Sequence, residues 1–257
     1  MKLFSRVLGQ TGSPMVILHG DFGMSDNWLT LGRRWAEEHR VHLLDQRNHG
    51  QSPDSDEWTY LAMAGDVGHY IEEELGEAVH LVGHSMGGKT AMCLATERPD
   101  LLKSLTVIDI GPKAYPVHHR GIVDALKAVP VEVLSRRSEV NEALAKGIPQ
   151  SSVRQFLMKS LHRCSSGGFE WRFNLDVIDR ELENVGWELP EEAEYPGPTL
   201  FIRGGKSGYI LDDDLPAIHR QFPLMEFESV AVAGHWVHAE RPDALHDLLR
   251  SFMQRND

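Results

Sequence analysis

Short apolar runs recur along the chain, spaced widely enough to leave room for a helix between them. Pro14-Met15-Val16-Ile17-Leu18 contains no polar side chain, the pattern of a strand buried on both faces of a parallel sheet. Val41-His42-Leu43-Leu44, Val79-His80-Leu81-Val82, Leu105-Thr106-Val107-Ile108 and Thr199-Leu200-Phe201-Ile202, each with a single polar residue, read as further strands, and a last strand is expected over 224–230. Helical patterns fill the gaps. One carries Trp28, Leu29, Leu31 and Trp35; another, over 60–75, puts Leu61, Ala64, Val67 or Gly68, and Ile71 on one face. Further helices are expected from about Met86, over 213–221 and at the end of the chain. This alternation predicts an α/β fold with a doubly wound, mostly parallel sheet.

From 112 to 190 the rhythm breaks and no strand is evident. Helical segments are expected near 117–128, 131–145, 151–162 and 173–184, punctuated by Gly147-Ile148-Pro149 and Ser165-Ser166-Gly167-Gly168. The stretch reads as an insertion, a helical cap of residues 112–190 over the carboxyl edge of a core domain formed by 1–111 and 191–257. No internal repeat or low-complexity segment interrupts this pattern.

Composition narrows the function. A chain of 257 residues, 41% hydrophobic and 25% charged, suits one α/β unit with an insertion. Its formal charge of −12 argues against a nucleic-acid partner, which requires a basic face. With only Cys93 and Cys164, a disulfide framework is not expected and a reducing compartment is; Cys93 reads as a small core residue. Met1 to Arg6 lacks the apolar run of a signal peptide, and no stretch approaches the ~18 apolar residues of a membrane span. A cytoplasmic location without a membrane span is the expectation.

The densest chemical signal follows the strand ending at Val82. Gly83-His84-Ser85-Met86-Gly87 is Gly-x-Ser-x-Gly, the nucleophile elbow that lifts a serine oxygen above a parallel sheet. The same stretch, extended to Gly88-Lys89-Thr90, also satisfies the phosphate-cradling P-loop pattern, in which Asp109 would serve as a metal-binding acid. The rest of the chain discriminates between them. Ligands bind open α/β sheets at the carboxyl ends of strands, and the residues there are His19-Gly20, Asp45, Ser85, Asp109, Ser207 and His235. A serine needs a base, and the base needs an orienting acid; the order Ser85, acid, His235 is the one this fold uses. The P-loop reading leaves His19-Gly20, the turn at 45–52 and the segment at 234–242 without roles. Backbone N–H groups of Asp21 and Met86, with Phe22 as a further candidate, would form an oxyanion hole.

Together these stretches resemble α/β-hydrolase fold esterases, in particular the bacterial YbfF group and its ABHD11-like relatives. The resemblance rests on His19-Gly20-Asp21-Phe22-Gly23, on 45–52, on the elbow through Lys89, on Ile108-Asp109-Ile110, on Glu170-Trp171-Arg172-Phe173-Asn174 and on 234–242. It spans nearly the whole chain. It implies carboxylesterase or thioesterase activity on short to medium acyl chains, through an acyl-enzyme and with no cofactor. Other serine chemistry on the same scaffold (C–C bond hydrolysis, acyl transfer, perhydrolysis) and a non-catalytic ligand-binding role are the alternatives.

The acid is the open member of the triad. In most of the superfamily it lies in the loop that here reads Gly204-Gly205-Lys206-Ser207-Gly208-Tyr209, where Ser207 cannot carry the charge. Asp212, Asp213 and Asp214 stand where a helix begins and serve equally as its cap and first-turn charges. Asp109 is the better candidate, and the resemblance points to it, with Ser207 as an auxiliary hydrogen-bonding residue. His19 is expected to brace the oxyanion loop, and Asp45 and Arg47 to tie neighbouring loops. His118-His119 and the His235, His238, Glu240 group do not form a recognised ligand set, so no metal is expected. Trp171, Phe173 and Trp187 are candidates for an acyl pocket or for ordinary core.

Overall fold

The computed structural model describes residues 1–117, 119–165 and 167–257. The strands are β1 (Ser5–Leu8), β2 (Pro14–Leu18), β3 (Arg40–Leu44), β4 (Val79–His84), β5 (Leu102–Ile108), β6 (Leu161–Arg163), β7 (Phe169–Trp171), β8 (Thr199–Gly204) and β9 (Met225–Val230). The helices are α1 (Leu29–Trp35), α2 (Tyr60–Tyr70), α3 (Met86–Glu97), α4 (Arg120–Lys127), α5 (Arg137–Leu144), α6 (Ser151–Leu157), α7 (Leu175–Arg180), α8 (Leu215–Gln221), α9 (Val237–Glu240) and α10 (Pro242–Arg255).

A seven-stranded sheet runs in the order β1-β3-β2-β4-β5-β8-β9. Only β1 is antiparallel, on the edge against β3; the other pairings are parallel. The continuous apolar runs make sense in this sheet because both faces are covered. Val16 and Leu18 of β2, Leu81 of β4 and Val107 of β5 pack into one layer with α2, α3 and the segment after β5. Their neighbours Met15, Ile17, Val82 and Ile108 pack into the other, against Trp28, Leu31, Trp35 and the α10 residues Leu245, Leu249 and Phe252.

Three details differ from the sequence expectation. β1 is unanticipated: it is an edge strand whose residues are half-buried or exposed, so it shows no buried apolar run. The stretch 112–190 is not purely helical. β6 and β7 pair as an antiparallel hairpin, three residues each, too short for a period-two pattern to register. On α2, Leu61 is 60% exposed, and Tyr60 and Met63 take the inward positions with Ala64 and Val67. Ser166 of the punctuating Ser-Ser-Gly-Gly stretch and His118 lie outside the described residues. Among those described, no helix is long and apolar enough to cross a membrane.

Candidate active site

The turn from β4 into α3 is the elbow. Ser85 adopts φ 52° and ψ −119°, a region that costs a non-glycine residue on the order of 1–3 kcal/mol and persists only where its surroundings enforce it. Its flanking glycines allow the tight approach. A Cβ at position 83 would lie 2.2 Å from the Gly87 carbonyl oxygen, and one at 87 would lie 2.6 Å from the carbonyl oxygens of Leu18 and His19.

On the adjacent strand, His84 of β4 pairs with Ile108 of β5, so Ser85 and Asp109 leave the sheet side by side. Asp109 also has positive φ, 53°, and is fully buried. His235 comes from the loop after β9. Its Nε2 lies 3.1 Å from the Ser85 hydroxyl oxygen, and its Nδ1–H donates to Asp109 Oδ2 at 2.7 Å. The Asp109 carboxylate receives two more donors: the Ser207 hydroxyl at 2.5 Å on Oδ2 and the Gly204 N–H at 2.9 Å on Oδ1. Ser207 thus sits on the Asp109 carboxylate, in the loop after β8.

Asp212, Asp213 and Asp214 are elsewhere. Asp212 pairs with Arg203 at 2.6 Å, Asp214 pairs with Lys113 at 2.5 Å and accepts from the Leu211 N–H, and Asp213 is exposed in the turn leading to α8. They are capping and surface charges.

The loop after β2 forms the other wall. His19 is buried, donates from Nδ1 to the Gly20 carbonyl at 2.8 Å and accepts the Gln46 N–H on Nε2 at 3.0 Å, while the Gln46 side chain returns a bond to the His19 carbonyl. Burial, with His49 close by, pushes the His19 pKa down to about 3, which keeps the ring in the neutral form this bonding requires. Gly20, Asp21 and Phe22 border the Ser85 cavity. The Phe22 N–H is already donated to the Asp21 carboxylate at 2.9 Å and approaches His49 Nε2 at 3.3 Å. Met86 stands in the first turn of α3, whose N–H groups have no intrahelical acceptor. Asp45 accepts backbone N–H bonds from Ser25 and Gln51, and Arg47 pairs with Asp66 at 2.7 Å in a buried bridge. Both tie loops together.

A cavity of about 60 Å³ opens over Ser85, lined on its far side by Ile122, Val153, Phe156, Leu157 and Trp236. None of Trp171, Phe173 and Trp187 borders it. Trp171 stacks on Phe173, which packs edge-on against Phe22, and Trp187 lies against Tyr60. Of the paired histidines, His119 lines the cavity.

The P-loop reading fails on geometry. The Lys89 side chain is buried and its ammonium donates to the Pro112, Lys113 and Trp187 carbonyls; the Thr90 hydroxyl bonds the Met86 carbonyl. Neither is available to a phosphate. His238 stacks on Trp28 at 4.5 Å and Glu240 accepts the Gly234 N–H, so this group serves packing and loop closure. The described residues place one possible metal-ligand set elsewhere, His39, His80 and Asp257, at the amino-terminal end of the strands. There Asp257 is already paired with the Lys103 ammonium, 3.0 Å from Oδ1.

Sequence reasoning missed two neighbours of His235. The Tyr209 ring stacks on it at 4.2 Å and 21°, and His84 lies 4.8 Å away on another side, donating to the His235 carbonyl at 2.9 Å. Burial, reinforced by the nearby His235, pushes the His84 pKa down to about 3. The x position of Gly-x-Ser-x-Gly was the available signal for His84; Tyr209 had none.

A seven-stranded, mostly parallel sheet with a serine at a strained elbow, in reach of a histidine that is itself held by a buried carboxylate, defines the α/β-hydrolase class. The family described as the alpha/beta hydrolase fold matches residues 13–242, and the chain belongs to it. Within that family it is 40% identical over 250 residues to the sn-1-specific diacylglycerol lipase ABHD11 of Xenopus laevis, a match covering 93% of this chain and 78% of that protein. It is 37% identical over 243 residues to the esterase YbfF of Escherichia coli (strain K12), covering 94% of this chain and 93% of that one. A solved marine microorganism esterase superposes with a TM-score of 0.95 at 36% identity, covering 98% of this chain and 99% of its own.

Proposed function

We propose that this protein is a serine esterase that hydrolyses short- to medium-chain acyl esters or thioesters through an acyl-enzyme. The observation that carries the reading is the relay from Ser85 to His235 Nε2, 3.1 Å, and from His235 Nδ1 to Asp109, 2.7 Å. Asp109 holds His235 in the tautomer whose Nε2 is free to take a proton. His235 removes the Ser85 proton as the oxygen attacks the acyl carbonyl, and the resulting imidazolium is stabilised by the buried carboxylate. Backbone N–H groups of Met86 and Asp21 receive the developing oxyanion, a stabilisation of roughly 3–4 kcal/mol per donor; Phe22, whose N–H is engaged, contributes as a wall. His235 then protonates the leaving group, and water, activated by the same histidine, releases the acid.

Residues 112–190 act as the cap, and its α4 and α6 side chains Ile122, Val153 and Phe156 set acyl preference. The cavity of about 60 Å³ is far smaller than the ~300–1,000 Å³ of drug-sized ligand sites, so the closed cap favours the short end of the range and longer chains require the cap to move. The relatives named as esterase and diacylglycerol lipase support an ester substrate. The test is a panel of nitrophenyl esters and acyl thioesters of increasing chain length, with Ser85→Ala in parallel. Chain-length-dependent hydrolysis, indifferent to chelators and lost in Ser85→Ala, is expected; retained hydrolysis in that variant rejects the proposal.

A further inference from the structure

Lys89 lies one turn beyond Ser85 on α3 and is fully buried. An ammonium has three donors and no acceptor, and each of the three finds a carbonyl: Pro112 at 3.3 Å, Lys113 at 2.5 Å, and Trp187. The first two carbonyls belong to the chain as it leaves the sheet after β5, and the third to the chain as it returns toward β8. One side chain therefore grips both stems of the 112–190 segment. The stems also hold each other, through Tyr115 N–H to the Gly186 carbonyl at 3.0 Å and Leu189 N–H to the Pro112 carbonyl at 2.9 Å.

The contacts continue toward the histidine. The Lys89 ammonium sits 5.1 Å from the centroid of the Tyr115 ring. The Tyr115 hydroxyl accepts the Gly111 N–H at 2.8 Å and donates to the Tyr209 carbonyl at 2.7 Å. Tyr209 is the residue whose ring stacks on His235.

We propose that Lys89 is a positioning residue for ester hydrolysis, fastening both cap stems to the nucleophile helix and, through Tyr115 and Tyr209, holding the His235 ring where Nε2 meets the Ser85 hydroxyl. The inference rests on the roles given above to Ser85 and His235. A methionine or leucine would fill the same space without the cost of burying an ammonium, so packing alone does not account for a lysine there. Burial pushes the Lys89 pKa down to about 7, with the Glu188 carboxylate favouring the charged form and the Lys113 ammonium opposing it; Lys113 is itself paired with Asp214. A neutral amine keeps only two N–H donors for three carbonyls, so the grip weakens toward alkaline pH.

The test compares wild type, Lys89→Met, Tyr115→Phe and Ser85→Ala on nitrophenyl acetate, with hydrogen exchange measured over 111–115 and 186–189. Because small misplacements at a reacting centre are costly, Lys89→Met is expected to lose roughly tenfold to a hundredfold in kcat while KM moves less than about threefold. Amide exchange in both stems should rise. Tyr115→Phe, which keeps the Lys89 grip and cuts the link to Tyr209, should lower kcat by roughly threefold to tenfold without faster exchange at 186–189. Faster exchange in Lys89→Met with kcat within about twofold of wild type would make Lys89 a structural clamp only and overturn the proposal. If Lys89→Met fails to fold, Tyr115→Phe decides on the same kcat criterion. Activity surviving in Ser85→Ala would instead overturn the esterase reading, so the two failures are distinguishable.

Discussion

Replacing Asp109 by asparagine tests the relay at its least visible member. The substitution is nearly isosteric, and the structure dictates how the amide must sit. Oδ1 of Asp109 accepts the Gly204 N–H at 2.9 Å, so the amide oxygen must stay on that side; the flipped rotamer would set an NH2 against a backbone donor. The NH2 then faces His235 Nδ1 and the Ser207 hydroxyl, the two groups now 2.7 and 2.5 Å from Oδ2. An amide N–H donates to Nδ1, the ring proton moves to Nε2, and Nε2 can no longer take the Ser85 proton. Loss of the correct tautomer costs a serine–histidine–aspartate enzyme about 10⁴ in kcat, or about 5 kcal/mol of barrier. The assay is steady-state hydrolysis of nitrophenyl acetate with thermal melts of both proteins, so that a folding defect is seen separately. Activity within about tenfold of wild type would refute the reasoning, as would a larger loss in Asp214→Asn than in Asp109→Asn.

Ser207→Ala removes one of three donors to the Asp109 carboxylate, a charge-assisted bond of about 1.5–3 kcal/mol, and should lower kcat by roughly tenfold with KM little changed. The double variant Asp109→Asn/Ser207→Asp moves the acid to the loop after β8 and should recover part of the activity lost in Asp109→Asn; no recovery in a folded protein would show that His235 Nδ1 is out of reach from that loop. Phe156→Ala enlarges the cavity and should raise the octanoyl-to-acetyl ratio of kcat/KM by about tenfold or more, read from the same ester panel. Acid should destabilise the fold through its buried neutral histidines: burial pushes His19 and His84 down to about 3 and His80 to about 4. Their folded pKa values lie below the unfolded value, so the unfolded chain takes up protons first and stability is lost as pH falls from about 6.5, by roughly 2 kcal/mol per histidine at pH 5. Urea midpoints that do not fall between pH 7 and 5 would contradict this.

What was legible in the sequence follows from burial. The inner parallel strands were readable because both faces are covered, which gives mostly apolar runs such as Met15 to Leu18. The elbow was readable because its geometry admits only glycine at 83 and 87, and Asp109 stood out as a candidate because it ends a buried strand. The edge strand β1 and the β6–β7 hairpin carry polar, half-exposed residues and leave no such trace. Lys89 shows the deeper limit. A lysine early in a helix looks like a solvent-facing residue; its burial is decided by carbonyls 23 to 98 positions away in the chain, which no local pattern encodes. Tyr209 is similar, since its stacking on His235 depends on where two separate loops meet.

The placement of the proposed acid, Asp109, follows from the order of the strands. β8 lies between β5 and β9, so a histidine from the loop after β9 must reach across the mouth of β8 to meet a carboxylate on β5. Two features close that gap. Asp109 takes φ 53°, the unfavourable side of backbone space for a side chain, just as Ser85 does one strand away; and the end of β8 and the loop after it contribute the Gly204 N–H and the Ser207 hydroxyl, which both donate to the Asp109 carboxylate. A relay of this kind is specified by the position of a carboxylate against Nδ1, not by the strand that carries it. On the proposed triad, the positive-φ pair at 85 and 109 and the serine at 207 therefore form one arrangement, in which the loop after β8 supplies a hydrogen-bond donor to the Asp109 carboxylate.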